Sequence, residues 1–505
     1  MEEGGVSDKR VETLRARLGE IADVTAAAEL LHWDQEVNMP PKAAPGRAQQ
    51  RATLSALAHR LFTAPALADL LERLSDSRET LDPDDATLVA VTLYDYDRAR
   101  KLPESFVHRF AEETSNAYEA WVKARENSDF PAFQLHLETL LDLLKQKADY
   151  LGYEGSPYNA LLEEYERVMT VEHLDRIFGE LAPRQSDLVR RVVNAPNQPK
   201  TDWVNRDWPE EKQWPLTLRI LENMGYDLEA GRQDKSTHPF TTSFDLYDVR
   251  VTTRFNPRDP FSALSSSIHE GGHALYDQGF QERDRRTPLA QGASLGIHES
   301  QSRMWENMVG RSLPFWKHYT PVLRNCFPAM PSSISPMDVY RTVNCVRPSL
   351  IRVEADECTY NLHIILRFEI ECALLDGELG VGEVPEAWRA KMKGYLGVDV
   401  PDDAQGCLQD IHWSLGAMGY FPTYALGNLY AAQLFDKILE EIPDFWAYVE
   451  AGAFGPLLAW LRNRVHRLGR RKLAREIICD VTGAEPACAP YLRYLETKYG
   501  ELYGI

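Results

Sequence analysis

Asp259-Pro260-Phe261-Ser262-Ala263-Leu264-Ser265-Ser266-Ser267-Ile268-His269-Glu270-Gly271-Gly272-His273-Ala274-Leu275 is the stretch whose reading decides the fold. Asp259 is a good N-cap and Pro260 suits the first helical position, where its missing N–H costs nothing. Phe261, Leu264, Ile268, Gly272 and Leu275 then recur at three- and four-residue spacing, which is one apolar stripe of a helix. The residues just before it have another period. In Asp248-Val249-Arg250-Val251-Thr252-Thr253-Arg254-Phe255 the odd positions are apolar, Thr253 excepted, and the even ones polar. That alternation predicts a strand.

Outward from this point the chain reads as helix. Val11 onward, 48–62, 86–100 and 133–150 carry helical apolar spacing, as do 301–309, 350–375, 424–442 and 446–468. Pro40-Pro41, Pro83, Pro103 and Gly155-Ser156-Pro157 punctuate the first half, and the Pro-, Asn- and Trp-rich stretch 195–214 reads as a loop. The expected fold class is therefore mainly α with a small β-sheet. One domain over 1–505 is expected.

Composition excludes several classes. A chain of 505 residues with 44% hydrophobic and 26% charged residues has ordinary means to bury a core. Its net charge of −20 repels phosphates and anionic lipid, which argues against nucleic-acid and membrane partners. The basic run from Arg462 to Lys472 is read against that charge as a solvated or salt-bridged face. Seven cysteines lie between Cys326 and Cys488 without a CxxC pair, so neither a disulfide framework nor a cysteine zinc site is expected, and a reducing cytoplasm fits. The charged N-terminus does not read as a secretory signal, and no apolar run suits a membrane span.

The chemistry concentrates at His269-Glu270-Gly271-Gly272-His273. Residues i and i+4 of a helix lie one turn apart on one face, so both imidazoles can reach one zinc ion. Glu270 points elsewhere around the axis and can act as a base on a water at the metal, the HExxH arrangement. Catalytic zinc usually takes a third protein ligand. The loop 291–296 leads to Ile297-His298-Glu299-Ser300-Gln301-Ser302, where His298 and Glu299 are both eligible. Each glycine costs a helix interior roughly 0.5–1 kcal/mol relative to Ala. The pair Gly271-Gly272 therefore invites a reason such as close approach of another backbone.

An ordered series of motifs resembles the carboxypeptidase Taq family of zinc metallocarboxypeptidases. It comprises Trp33-Asp34-Gln35-Glu36 with Met39-Pro40, His238-Pro239-Phe240, and Asp248-Val249-Arg250-Val251-Thr252. It continues with His269 to His273, His298-Glu299-Ser300-Gln301-Ser302, and Ile351-Arg352-Val353-Glu354-Ala355-Asp356. It ends with Gln409-Asp410-Ile411-His412-Trp413 and Gly419-Tyr420-Phe421-Pro422-Thr423-Tyr424. Gly271 departs from the pattern, where a larger residue such as Met is expected. The resemblance implies a helical fold with a deep groove beside a small sheet, whose wall or lid the helices up to about residue 105 would form. It implies removal of single amino acids from free peptide C-termini with broad specificity, zinc as the usual metal with cobalt able to substitute, and a cytoplasmic homodimer.

It also orders the site candidates. Glu299 becomes the third ligand beside His269 and His273, and Glu270 the general base. Tyr420 leads the candidate oxyanion donors, with His412 and Tyr424. Arg352 is the expected anchor of the substrate carboxylate because a guanidinium can fork it, with Arg347 as runner-up. Asp248 and Arg250 are candidates to line the groove, with structural roles equally open. The face Asp356, Tyr360, His363, Arg367 reads either as a set that orients the ligands or as a buried network. Two other functions remain to be distinguished: a zinc oligopeptidase that cuts internally or releases dipeptides, and a metal-binding scaffold without catalysis.

Overall fold

The computed structural model describes residues 8–505. The reading of the N-terminus as a non-signal segment falls partly on residues 1–7, outside that range. The chain is 69% helical, which settles the mainly α class.

Four helices open the chain: α1 (Lys9–Val37), α2 (Ala44–Phe62), α3 (Pro65–Asp76) and α4 (Pro83–Lys101). Then come α5 (Glu104–Asn127), α6 (Phe130–Leu151), the short α7 (Tyr158–Leu162), α8 (Val171–Val193) and α9 (Glu210–Met224). Three strands follow, β1 (Gly231–Lys235), β2 (Thr241–Asp245) and β3 (Asp248–Thr253). The rest is α10 (Pro260–Asp277), α11 (Leu295–Arg303), α12 (Leu313–Cys326), α13 (Pro336–Val343), α14 (Glu357–Asp376) and α15 (Val384–Leu396). It ends with α16 (Pro422–Glu441), α17 (Phe445–Ala451), α18 (Gly455–Arg464), α19 (Ala474–Thr482) and α20 (Ala489–Tyr503).

The sheet has the order β1-β3-β2, with β1 parallel and β2 antiparallel to β3. Only β3, the central strand, was legible in advance, because Val249 and Val251 point inward from it. β1 (Gly-Arg-Gln-Asp-Lys) and β2 (Thr-Thr-Ser-Phe-Asp) have no apolar alternation to betray them. The strand also stops at Thr253, two residues short of the expected end.

Other boundaries moved for local reasons. Asp356 caps α14 through the N–H groups of Cys358 and Thr359, so the helix begins seven residues after Leu350 and Arg352 sits in a 3-10 turn before it. The stretch 446–468 is not one helix: Gly452 takes a left-handed conformation, Pro456 starts α18 afresh, and α18 ends at Arg464. The presumed loop 195–214 runs into α9, which begins at Glu210. Ser294 caps α11 at Leu295, earlier than expected, and the helix then widens to a π turn over Met304–Gly310.

Buried apolar residues form two main clusters. The large one spans α5 to α20 and the sheet. The smaller one unites Val11, Leu14, Leu67, Leu71, Leu88 and Val89 of the first four helices with Leu289. Between them runs a polar seam that uses the basic run: Arg470 forks Asp95 at 2.8 Å and Arg471 reaches Asp84 at 3.0 Å. The expected salt-bridged character of that run is thus observed, although it lies on α18 and a following 3-10 turn rather than on one helix face.

Candidate metal and peptide site

Asp259 accepts from the N–H of Phe261 and starts α10 as expected, which sets His269 and His273 one turn apart. Their Nε2 atoms lie 3.7 Å and 3.3 Å from the same oxygen of Glu299. Zinc–ligand bonds of about 2.0–2.1 Å would place tetrahedral donor atoms roughly 3.3 Å apart. Two imidazoles and a carboxylate at this spacing fit one small divalent ion. Among the described residues this is the one group of three such donors close enough to share an ion.

α11 brings Glu299 there by wedging between α10 and α16. A Cβ on Gly272 would lie 2.7 Å from Cα of Ser302, and one on Gly427 would lie 2.5 Å from Cγ of Glu299. The suspected close approach of a second backbone is real at Gly272. Gly271 abuts side chains instead, Leu221 and Met224.

The atoms of this candidate cluster are held by a further set of groups. Arg303 Nε donates to Oε1 of Glu299 at 2.7 Å, which leaves Oε2 to face the histidines. Nδ1 of His269 lies 2.9 Å from Glu306 Oε2, and Arg311 donates to the other oxygen of Glu306 at 2.8 Å. Nδ1 of His273 faces Nδ1 of His298 at 2.5 Å, and His298 Nε2 lies 3.0 Å from Asp277 Oδ1. Burial alone would raise the carboxyl of Glu299. Arg303 and His269 outweigh it and hold the group well below the usual carboxylate range. Glu306 is held down likewise, chiefly by Arg311 against its burial.

Glu270, between the two histidines, is 7% exposed. Thr241 of β2 donates to its Oε2 at 2.7 Å.

Arg352 lies in a neighbouring polar chamber. Its Nε and Nη2 donate to Asp410 Oδ1 at 3.0 and 2.8 Å, and its Nη1 to the hydroxyl of Tyr360 at 2.9 Å. Arg367 takes the other oxygen of Asp410 at 2.7 Å. Tyr424, Tyr420 and His412 gather alongside: the two tyrosine rings are 5.2 Å apart, His412 is 5.2 Å from Tyr420, and Tyr424 OH lies 3.4 Å from His412 Nε2. Burial, then the nearby Arg352, pushes the His412 imidazole down to about 3, so it stays neutral. Tyr360 joins this chamber to the His-His-Glu cluster, because the Arg303 guanidinium lies 4.3 Å from its ring centre.

The model of the carboxypeptidase Taq (M32) metallopeptidase family matches residues 13–499. The chain belongs to the M32 metallopeptidase family. It is 42% identical over 497 residues to thermostable carboxypeptidase 1 of Thermus thermophilus, and 40% identical over 486 residues to carboxypeptidase 1 of Bacillus subtilis. Each alignment covers 96% of this chain and 97% of the relative. The crystal structure of the M32 carboxypeptidase from Deinococcus radiodurans R1 superposes with a TM-score of 0.97 at 40% identity, covering 99% of this chain and 100% of that one. Metallocarboxypeptidase 1 of Trypanosoma cruzi gives 0.92 at 32% identity, covering 97% and 99%. The chain is thus a metallocarboxypeptidase, a peptide hydrolase of a family that works with a metal ion.

Not every candidate residue of this M32 enzyme converges on the site. Arg347 turns its guanidinium to Thr201 at 2.8 Å and gives its N–H to Asp356, outside the Arg352 chamber. Asp248 and Arg250 fork each other at 2.7 and 2.8 Å, and Arg250 lies against Trp33 of α1, 4.4 Å from its ring centre. Of the face Asp356, Tyr360, His363, Arg367, only Tyr360 and Arg367 reach the chamber directly. Asp356 caps α14, and His363 is fully buried with neither ring nitrogen partnered.

Residues that went unnoticed in the sequence are Asp277, Arg303, Glu306, Arg311 and Thr241. A signal existed for some of them. Asp277 follows His273, and Arg303 follows Glu299, by one helical turn. Glu306 had none, because only the π turn aims it back at His269. Glu371 was also missed. It accepts from Tyr158, from Trp413 and from the N–H of Gly419, and so pins the loop that carries Tyr420.

Proposed function

We propose that this metallocarboxypeptidase holds one zinc ion on His269, His273 and Glu299 and releases single amino acids from free peptide C-termini. One observation carries the reading. Both Nε2 atoms face a single oxygen of Glu299, while both Nδ1 atoms are engaged elsewhere. Cobalt, with the same preference for nitrogen and carboxylate donors, is expected to substitute.

When bound, the ion supplies Lewis-acid polarisation of the scissile carbonyl and lowers the pKa of a water to about 7. Glu270 takes the proton of the attacking water and passes it to the leaving amine. Thr241 orients the carboxylate for that transfer through its bond to Oε2. Tyr420 donates its hydroxyl to the oxygen on which negative charge develops. Burial keeps that phenol protonated, raising its pKa above the ordinary value.

Arg352 receives the terminal carboxylate. Of its five N–H groups, three go to Asp410 and Tyr360, and one on each Nη remains. Asp410 balances Arg352 and Arg367 only in part, so a buried positive charge awaits an anion. Tyr424 and the neutral His412 wall the same chamber and complete the substrate contacts. Arg347, Asp248 and Arg250, engaged with Thr201, with each other and with Trp33, are given structural roles rather than substrate contacts.

The helices α1–α4 are assigned to one wall of the binding groove within a single domain of 505 residues, tied to the rest of the chain by Arg470–Asp95 and Arg471–Asp84. All seven thiols are free, in keeping with a reducing cytoplasm. No helix among the described residues is long and apolar enough to cross a membrane. The homodimer rests on the family resemblance, and sedimentation velocity tests it.

The test of function is incubation of one peptide as free acid and as C-terminal amide, with and without a chelator, with products read by mass. A ladder losing one residue at a time from the free acid alone, abolished by chelation, is expected. Internal fragments or dipeptides would assign the chain to an oligopeptidase mode, and intact peptide in every arm would leave a scaffold.

A further inference from the structure

The two imidazoles of the zinc-type cluster are fixed by unlike partners. His269 faces a carboxylate, Glu306, through Nδ1. His273 faces another imidazole: its Nδ1 lies 2.5 Å from Nδ1 of His298. Two ring nitrogens in hydrogen-bond contact need one proton between them, one ring donating and the other accepting. His273 needs a lone pair on Nε2, the nitrogen that faces Glu299, so its proton sits on Nδ1. His298 must then offer a lone pair at Nδ1 and carry its own proton on Nε2. Asp277 selects that tautomer, because its Oδ1 lies 3.0 Å from His298 Nε2 and can only accept.

We infer that Asp277 and His298 are positioning residues that together set the tautomer and ring plane of His273 for metal binding. This rests on the reading that His269, His273 and Glu299 hold the ion. The relay also spans the two elements that bear the ligands. Asp277 follows His273 by one turn of α10, and His298 precedes Glu299 on α11. A single chain of hydrogen bonds therefore locks the approach of α11 to α10 as well as the ring.

His298 has little freedom to do otherwise. The Tyr276 ring centre lies 5.3 Å from that of His298, and a Cβ on Gly292 would come within 3.0 Å of its Cδ2. Both its nitrogens are engaged, and the one nearer the cluster meets the side of His273 that faces away from Glu299. This geometry removes His298 as the rival third ligand.

The test uses the full chain and measures zinc affinity by competition with a chelating dye, together with the visible spectrum of the cobalt form. His298→Phe keeps an aromatic ring but has no acceptor. Its zinc affinity should fall about 10- to 100-fold, the usual cost of losing a partner of a ligating histidine. Its cobalt bands should shift, and its apoprotein should melt near the wild-type temperature in chelator. His298→Asn puts an amide oxygen near the place of Nδ1, and it should restore affinity to within about threefold of wild type. If His298→Phe does not fold, Asp277→Leu decides, with about a tenfold loss expected. Wild-type affinity in His298→Phe, or in Asp277→Leu, overturns the relay alone. So does an Asn variant no better than Phe. Failure of the wild type to bind zinc at all would instead remove the ligand reading on which the relay rests.

Discussion

The hydroxyl of Thr241 lies 2.7 Å from Oε2 of Glu270 and 2.9 Å from the carbonyl oxygen of the same residue. A strand residue thereby grips both the side chain and the backbone of the helix residue between the two histidines. The small sheet is thus part of the candidate site, because β2 fixes the carboxylate proposed to move a proton. Glu270→Gln keeps the shape and the contact to Thr241 but removes the base. Peptidase activity should fall about 10²- to 10⁴-fold, with bound zinc, read by elemental analysis, unchanged. Full activity in that variant would dismiss the mechanism.

Tyr420→Phe deletes one hydroxyl from a loop that Glu371 holds through the N–H of Gly419. Loss of one oxyanion donor typically costs about 2.7–4 kcal/mol of barrier, or about 10²- to 10³-fold in kcat. KM should change little. Steady-state kinetics on a short free-acid peptide check it, and a pure KM effect would relocate Tyr420 to ground-state binding.

Arg352→Gln takes away the guanidinium while Arg367 still pairs Asp410. Hydrogen bonds to a charged group are worth about 1.5–3 kcal/mol, so kcat/KM for a free-acid peptide should drop about 10- to 100-fold. The amidated peptide lacks the carboxylate, so its residual turnover, already very low in the wild type, should not fall further. Equal losses on both peptides would make Arg352 structural.

Gly272→Ala sets a methyl 2.7 Å from Cα of Ser302 and 2.9 Å from the carbonyl of Gln301, backbone atoms that cannot swing aside. Overpacking of that kind costs about 1–3 kcal/mol, and zinc binding should weaken because Glu299 rides on the displaced helix. Gly179→Ala in α8 is the control. Nothing lies within 4 Å of its added Cβ, and relief of helix entropy should stabilise by about 0.5–1 kcal/mol. Chemical denaturation curves of the two variants should move in opposite directions.

His466 is fully buried, with Nε2 bonded to Gln301 and Nδ1 unpartnered. Burial, then Arg462, depresses its pKa to about 3. The unfolded chain binds this proton below about pH 6.5 and the folded protein does not. The stabilising effect of the neutral ring is therefore present above that pH. It is lost progressively as the pH falls toward 3. His466→Gln has no such proton to bind, so between pH 7 and 5 it should lose about 2 kcal/mol less stability than wild type. Urea midpoints at several pH values check this. Parallel curves would show that the ring titrates alike in both states.

Much of this was already written in the chain. The i, i+4 histidines, the N-cap at Asp259 and the alternation around Val249 and Val251 are local patterns, set by helical and strand periods that act over a few residues. Local pattern also announced the strain at Gly271-Gly272, though not which neighbour caused it.

The sequence by itself determined the elements and the chemical types: a helix presenting two imidazoles, a carboxylate beside them, an arginine in a motif, a mainly helical body. Only the tertiary structure decided the partners. Arg303 pairs with Glu299 within one helical turn, but Asp277 meets His298 across 21 residues, Glu306 meets His269 across 37, Asp410 meets Arg352 across 58, and Thr241 meets Glu270 across 29. Such contacts depend on how helices and strands cross, which is set by packing over the whole core rather than by any stretch of chain. The two nearly featureless edge strands escaped for the same reason, whereas the break in 446–468 is local, set by Gly452 and Pro456. What holds the strands is their neighbours, and no period in their own residues records it.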